Sequence, residues 1–209
     1  MEQKKFLDKE KNNNVKNKLI TGLVLAGGNA RRMGGVDKGL VKVKGDFLIC
    51  HVIDRIKFQV EHLMINANRN IDTYKTLSNV VIQDQTSQRL GPLGGIQAGM
   101  YNCKTPYMIS VPCDVPKVPL DICNRLYLNL LENDSDCTMP VTVDSEGVER
   151  THPAILLLKK ELIESLDLYL KSGGRKIDQW TSELKCTQVV FEKSEDFLNI
   201  NKLEDINYI

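Results

Sequence analysis

The sequence predicts an α/β fold, with a mostly parallel central sheet and a small antiparallel insertion. Three observations carry this. Short apolar runs of strand length alternate with segments whose apolar residues recur at helical spacing. Strands separated by such helical segments pair in parallel, because a parallel pair needs a crossover between its members. A late pair of strand-like runs is joined instead by the turn Asp144-Ser145-Glu146-Gly147, which suits antiparallel partners.

The elements come in this order. Leu19–Leu25 is a short β-rich run that reads as a buried strand. Phe47–Val60 carries apolar residues at 48, 49, 52, 53, 56 and 60 and reads as a helix. His62–Ala67 is a second strand, Ile71–Leu77 a short helix and Val80–Ile82 a third strand. A helix opens near Leu93 and runs to Asn102. Tyr107–Val111 is a fourth strand that ends at Pro112-Cys113-Asp114. Leu120–Leu131 is helical, with Pro119 placed for its first turn. Thr138–Val143 and Ala154–Leu158 are strands. Lys160–Leu170 is a helix stopped by Ser172-Gly173-Gly174. A last strand near Thr187–Phe191 precedes a helix starting around Lys202.

Composition sets the outer limits. The chain has 209 residues, of which 42% are hydrophobic and 26% charged. That mixture describes a globular chain rather than a disordered one. With 28 Lys and Arg against 27 Asp and Glu, the formal net charge is +1, which argues against a general nucleic-acid binder. No apolar run reaches the roughly 18–20 residues of a membrane span. The charge is uneven: residues 1–18 hold six lysines against three acids and read as a flexible Lys/Asn-rich arm. Residues 19–209 then form a single domain. The basic arm followed by Leu19–Ala26 imitates a secretory signal, but the apolar run is short and holds Thr21 and Gly22. The six cysteines form no Cys-x-x-Cys pair and only three histidines occur, so a structural zinc site is not expected. A cytoplasmic chain with reduced thiols is the plainer expectation.

The most informative stretch is the glycine and basic loop after the first strand, Gly27-Gly28-Asn29-Ala30-Arg31-Arg32-Met33-Gly34-Gly35-Val36-Asp37-Lys38-Gly39. Its glycines permit close backbone approach, and successive N–H groups can form an anion nest. Arg31, Arg32 and Lys38 add positive charge suited to phosphate oxygens. A solvated surface turn is the plainer alternative. The loop carries neither the Gly-x-Gly-x-x-Gly fingerprint nor a Gly-Lys-Ser/Thr Walker motif, which disfavours a dehydrogenase and a P-loop kinase.

Leu25-Ala26-Gly27-Gly28, followed by Arg32-Met33-Gly34 and Asp37-Lys38, resembles the signature loop of the nucleotidyltransferase superfamily. The doubled Gly34-Gly35 and the continuation Asp37-Lys38-Gly39-Leu40 resemble the molybdenum cofactor guanylyltransferase (MobA) family, from about Leu19 to the C-terminus. The resemblance implies a three-layer, Rossmann-like nucleotidyltransferase fold. It implies transfer of GMP from GTP to molybdopterin, an acceptor expected to carry molybdenum already, with Mg²⁺ as cofactor. Protein partners implied are a molybdenum-insertion protein and apo-molybdoenzymes or their chaperones, with no nucleic acid and no membrane. A cytidylyltransferase acting on the same pterin, and a non-catalytic nucleotide or cofactor binder on the same fold, are the alternatives.

Later motifs bear on this resemblance. Asn66, in Asn66-Ala67-Asn68-Arg69, is either a polar turn residue or, as the resemblance implies, a contact to the guanine nucleotide. Asp84 is either a cap or a nucleotide-binding acceptor. Gly91-Pro92-Leu93-Gly94-Gly95 opens a helix and resembles the family's second glycine segment, with Gly94 where the family commonly carries Ala. Asp114, alone at a strand end, either caps that end or ligates Mg²⁺, the role the resemblance implies. Cys113 reads as a packing residue. Asn201, in Asn199-Ile200-Asn201, is either a helix cap paired with Glu204 or part of the site. The site residues implied are therefore Arg32, Lys38 and Asp114 for catalysis, with Asp114 as metal ligand. Leu25, Ala26, Gly27, Gly28, Gly35, Lys38, Asn66, Asp84, Gly95 and Asn201 are implied for nucleotide binding. His152-Pro153 also resembles the family; His152 either approaches the second substrate or, the plainer reading, is a hydrogen-bonded structural residue, while Arg175 and Lys176 stand where the family has a basic pair that could anchor a pterin phosphate.

Overall fold

The structure is a computed structural model and describes residues 18–28, 37–144, 146–201 and 205. The arm 1–17, the loop residues Arg31, Arg32 and Gly35, the helix expected from Lys202 and its Glu204 lie outside the described residues.

The axis of the sheet is β1 (Ile20–Leu25). It pairs in parallel with β4 (His62–Asn66) on one side and β6 (Tyr107–Pro112) on the other. The remaining strands are β5 (Val81–Ile82), β7 (Cys137–Val143), β8 (Glu149–Thr151), β9 (Leu156–Lys159) and β10 (Cys186–Phe191). The strand order is β10-β7-β9-β6-β1-β4-β5, with β8 joined to β7. The antiparallel insertion thus lies within the sheet: β9 runs against both β6 and β7, and β8 against β7. A separate two-stranded hairpin, β2 (Lys42–Val43) with β3 (Asp46–Phe47), comes after the glycine loop.

Helices cover both faces, giving the three layers expected. Strand alternation directs Ile20 and Val24 of β1 to one face and Leu23 to the other. On the first face lie α1 (Leu48–Ile56) and α4 (Ile122–Glu132). Helix α1 buries Leu48, Ile49, Val52, Ile53 and Ile56, the stripe that its spacing predicts. On the second face lie α3 (Pro92–Asn102), α5 (Ile163–Lys171) and α6 (Ile177–Thr181). Helix α3 presses closely on β1: a Cβ at Gly99 would stand 2.5 Å from Leu23 Cδ2. A short α2 (Ile71–Lys75) brings Tyr74 into the first core.

The boundaries differ from expectation where side chains intervene. Phe47 closes β3 and only then does α1 begin. That helix stops at Ile56 rather than Val60, because Gln59 donates to Arg55 O and Pro119 O and accepts from Cys123 N. Pro119 stands before α4 instead of in its first turn, since Asp121 is the N-cap. Residues Lys160–Leu162 form a 3-10 turn ahead of α5. Helix α5 does stop at the expected glycines, with Gly173 N bonded to Leu170 O and Gly174 N to Tyr169 O, a Schellman closure. Strand β8 was not expected, as its Glu-Arg-Thr sequence has no apolar alternation; it is held by backbone pairing to β7, beside an Arg150–Asp144 ion pair at 4.0 Å.

Candidate functional site

The carboxyl ends of β1, β4, β5 and β6 meet along one edge, where open α/β sheets form their ligand crevice. A cavity of about 760 Å³ opens there. That is within the usual range for a site that takes a small-molecule ligand. Strand β1 runs directly into Leu25–Gly28, which lines the cavity by backbone, and Gly91 with Pro92 bring the start of α3 to it. Free N–H groups at a helix start favour an anion.

One pole of the cavity is charged. Lys38, in a 3-10 turn just after Asp37, donates from its ammonium to Asp114 Oδ2 and, at 2.8 Å, to Asn201 Oδ1. Asp114 lies just past the end of β6, and its backbone carbonyl accepts from Ile200 N at 2.9 Å. Its other carboxylate oxygen, Oδ1, is buried without a hydrogen-bond partner among the described residues. A hard cation taking one carboxylate and otherwise waters and phosphate oxygens would fit that donor set. Among the described residues no cluster of three or more His, Cys, Asp or Glu gathers to hold a metal alone. Asn201 directs its side-chain oxygen to Lys38, while its backbone N–H is met by Asp205 Oδ2 at 2.8 Å.

The other pole joins side-chain amides to the carboxylate of Asp84. Asn66, buried at the end of β4, donates from Nδ2 to Asp84 Oδ1 at 2.9 Å. Asp84 in turn donates its backbone N–H to Asn68 Oδ1 at 2.9 Å, so neither group acts as a helix cap. Gly95 lies outside the cavity lining but beneath it: a Cβ there would stand 2.4 Å from Asn66 Oδ1. Gly94, where the resembling family commonly has Ala, would bring a Cβ to 3.1 Å from Asp84 Oδ2, so its absence gives that carboxylate room.

The structure adds residues that the motifs did not single out. Asp37 is buried, accepting from Tyr74 OH at 2.6 Å and Asn70 Nδ2 at 2.9 Å, with Arg69 Nε at 3.5 Å. Burial, reinforced by Asp37, pushes the Tyr74 phenol well up, so it remains a donor. Asn68 reaches Gly27 O and Arg69 reaches Gly28 O, at 3.5 and 3.4 Å. The segment after β4 therefore holds both described ends of the glycine loop. The alternation of Asn66 and Asn68 was the available signal, since an extended end puts both amides on one side.

Other expected residues lie elsewhere. Arg175 donates to Leu170 O and Gly174 O at the end of α5 and lines a second cavity, and Lys176 caps α6. Neither joins the Lys38–Asp114 pole. Cys113 is buried, which pushes its thiol far up and leaves it a packing residue. All six cysteines are free thiols. His152 pairs with Thr142 and stacks on Phe197 outside the cavity lining. Among the described residues no helix is long and apolar enough to cross a membrane.

Residues 22–186 match the family model described as a MobA-like NTP transferase domain. A protein of Ralstonia nicotianae named molybdenum cofactor guanylyltransferase is 43% identical over 194 residues, covering 91% of this chain and 95% of that one. Among solved structures, molybdopterin-guanine dinucleotide biosynthesis protein A of Archaeoglobus fulgidus aligns with a TM-score of 0.68 at 22% identity, covering 90% of this chain and 95% of that one. A 4-diphosphocytidyl-2C-methyl-D-erythritol synthase of Anaerococcus prevotii aligns with a TM-score of 0.71 at 13% identity, covering 92% and 94%. At such identities the two structures share the fold alone.

Proposed function

Because the chain belongs to the family of MobA-like NTP transferase domains, we propose that it transfers GMP from GTP to molybdopterin, forming the guanine dinucleotide cofactor and pyrophosphate. The observation that carries the reading is a single one. A guanylyltransferase-named relative matches nine-tenths of both chains at 43% identity, and the family model spans residues 22–186, which hold Lys38, Asn66, Asp84 and Asp114. A cytidyl-specific reading lacks such support, since the cytidyl-named protein shares only the fold.

The reaction needs little covalent chemistry from the protein. The terminal phosphate oxygen of molybdopterin forms a bond to the α-phosphorus of GTP. The bond from that phosphorus to the bridging oxygen breaks, and pyrophosphate departs with the electron pair. A phosphate monoester has its second pKa near 6, so the attacking oxygen is already largely ionised near neutral pH and no strong base is required. Catalysis then comes from positioning and from neutralising charge. Lys38, with Arg32 from the loop, stabilises the leaving pyrophosphate. Asp114 holds Mg²⁺, which when bound supplies further charge neutralisation on the phosphates. Backbone N–H groups of Gly27, Gly28 and Gly35 cradle phosphate, Leu25 and Ala26, with the Ala26 N–H already given to Asn66 O, form the wall beside them, Asn66 and Asp84 receive the guanine nucleoside, Gly95 leaves space for Asn66, and Asn201 steadies Lys38.

The test is turnover of the purified protein with Mg²⁺, molybdopterin with or without molybdenum, and either GTP or CTP. Pyrophosphate release and a guanine dinucleotide product are expected with GTP. Faster release with CTP, or none with either nucleotide and either acceptor, overturns the reading.

A further inference from the structure

We propose that His152 is a positioning residue for this transfer, acting through Phe197 on the segment that delivers Asn201 to Lys38 and Asp114; the inference rests on the function proposed above. His152 lies between β8 and β9, and its backbone N–H is bonded to Pro140 O of β7 at 3.0 Å. Its ring nitrogen Nε2 pairs with the buried Thr142 Oγ1 at 2.9 Å, which fixes the plane of the imidazole. That plane lies on Phe197, with centroids 4.6 Å apart and an interplanar angle of 25°. The other side of Phe197 meets Phe191 edge-on at 5.1 Å, so the ring is held between the sheet and the imidazole.

Beyond Phe197 the chain reaches the charged pole within a few residues. Ile200 donates its N–H to Asp114 O and buries its side chain with Val43 and Leu48. Asn201 then accepts from the Lys38 ammonium. Among the described residues the segment carries no strand pairing of its own; it is held by Phe197, buried in the first core against His152 and Phe191, and by the bonds at Ile200 and Asn201. Loosening the first anchor frees the second to shift, and small displacements at a reacting centre are costly. The nucleoside pole, built on Asn66 and Asp84, has no part in this chain of contacts.

Two substitutions separate positioning from plain stability. His152→Ala removes both the stack and the Thr142 bond; His152→Phe keeps the stack and loses the bond. Both lower the unfolding midpoint. His152→Ala is expected to lower kcat by about 10–100-fold with GTP KM changed less than about threefold. Amide exchange at Ile200 is expected to quicken by at least about tenfold, since local opening exposes that N–H. His152→Phe is expected to keep kcat and Ile200 exchange within about threefold of the parent. Unchanged Ile200 exchange in His152→Ala overturns the proposal, as does a loss of kcat that tracks the midpoint equally in both variants. If the parent protein releases no pyrophosphate from GTP, the functional reading fails; the exchange measurement still decides whether His152 holds the segment.

Discussion

The ammonium of Lys38 and the carboxylate of Asp114 form an ion pair across 76 positions of sequence, at the mouth of the cavity. Each limits what the other can do before substrate arrives. Asp114→Ala releases Lys38 from its ion pair and removes the proposed metal ligand. GTP binding in the presence of EDTA should stay within about threefold, while Mg²⁺-dependent turnover falls by at least about 10²-fold. Isothermal titration and a pyrophosphate assay check the two halves. Retained full turnover would remove Asp114 from the reaction, and unchanged kinetics in Lys38→Ala would remove Lys38.

Helix α3 meets the nucleoside pole without side chains. Gly95→Ala should push Asn66 off Asp84, because its Cβ would fall 2.4 Å from Asn66 Oδ1 and 2.7 Å from Leu25 Cδ2. GTP KM should rise at least about tenfold, and stability should fall by roughly 1–3 kcal/mol through overpacking. Gly28→Ala is the matched control, since no described residue lies within 4 Å of its Cβ, and its stability should stay within about 0.5 kcal/mol of the parent.

Tyr74→Phe deletes one of the donors to the buried Asp37 carboxylate without changing ring volume. Urea denaturation should show a loss of about 1–3 kcal/mol, the cost of leaving a buried acceptor short of a partner. As Asp37 immediately precedes Lys38, kcat should fall as well, and by more than GTP binding does.

His152 supplies an acid-sensitive contribution to stability. Burial first, and the nearby Arg150 charge second, hold its imidazole pKa below the ordinary 6.5. The unfolded chain therefore takes up this proton at higher pH than the folded one. The contribution is fully present above the ordinary value and is lost as pH falls toward and through the lowered one. The unfolding midpoint of the parent should drop more between pH 7.5 and pH 5.5 than that of His152→Phe, about 1.4 kcal/mol being at stake for each unit of lowering. Equal drops would show that His152 titrates alike in both states.

Much of the sheet was legible because its strands are buried runs joined by turn residues. Ile20–Leu25 and Tyr107–Pro112 left almost no choice of element. Elements without apolar periodicity were not legible. Strand β8 is all exposed, and α6 is a five-residue helix in which Trp180 carries most of the burial. Lys38, Asp114, Asn66 and Asp84, which line one cavity, stood out in the sequence because each sits at a strand end or in a recognisable loop. Asp37, Asn70 and Tyr74 were not, since their link is a buried contact between segments 37 residues apart that no local pattern encodes. Arg175 stands where the resembling family has a basic pair, but its Nη1 donates to Leu170 O and Gly174 O at the end of α5, apart from the Lys38–Asp114 pole.

The bond from Ile200 to Asp114 also sets an order of assembly. Every described strand of the sheet, and every residue of the nucleoside pole, emerges from the ribosome before Ile200 and Asn201 do. A nascent chain can therefore shape its pocket while its lysine still lacks the asparagine partner. On the function proposed above, a chain released at residue 198 would hold Asn66 and Asp84 in place while Lys38 lacks Asn201 and Asp114 O lacks Ile200 N–H.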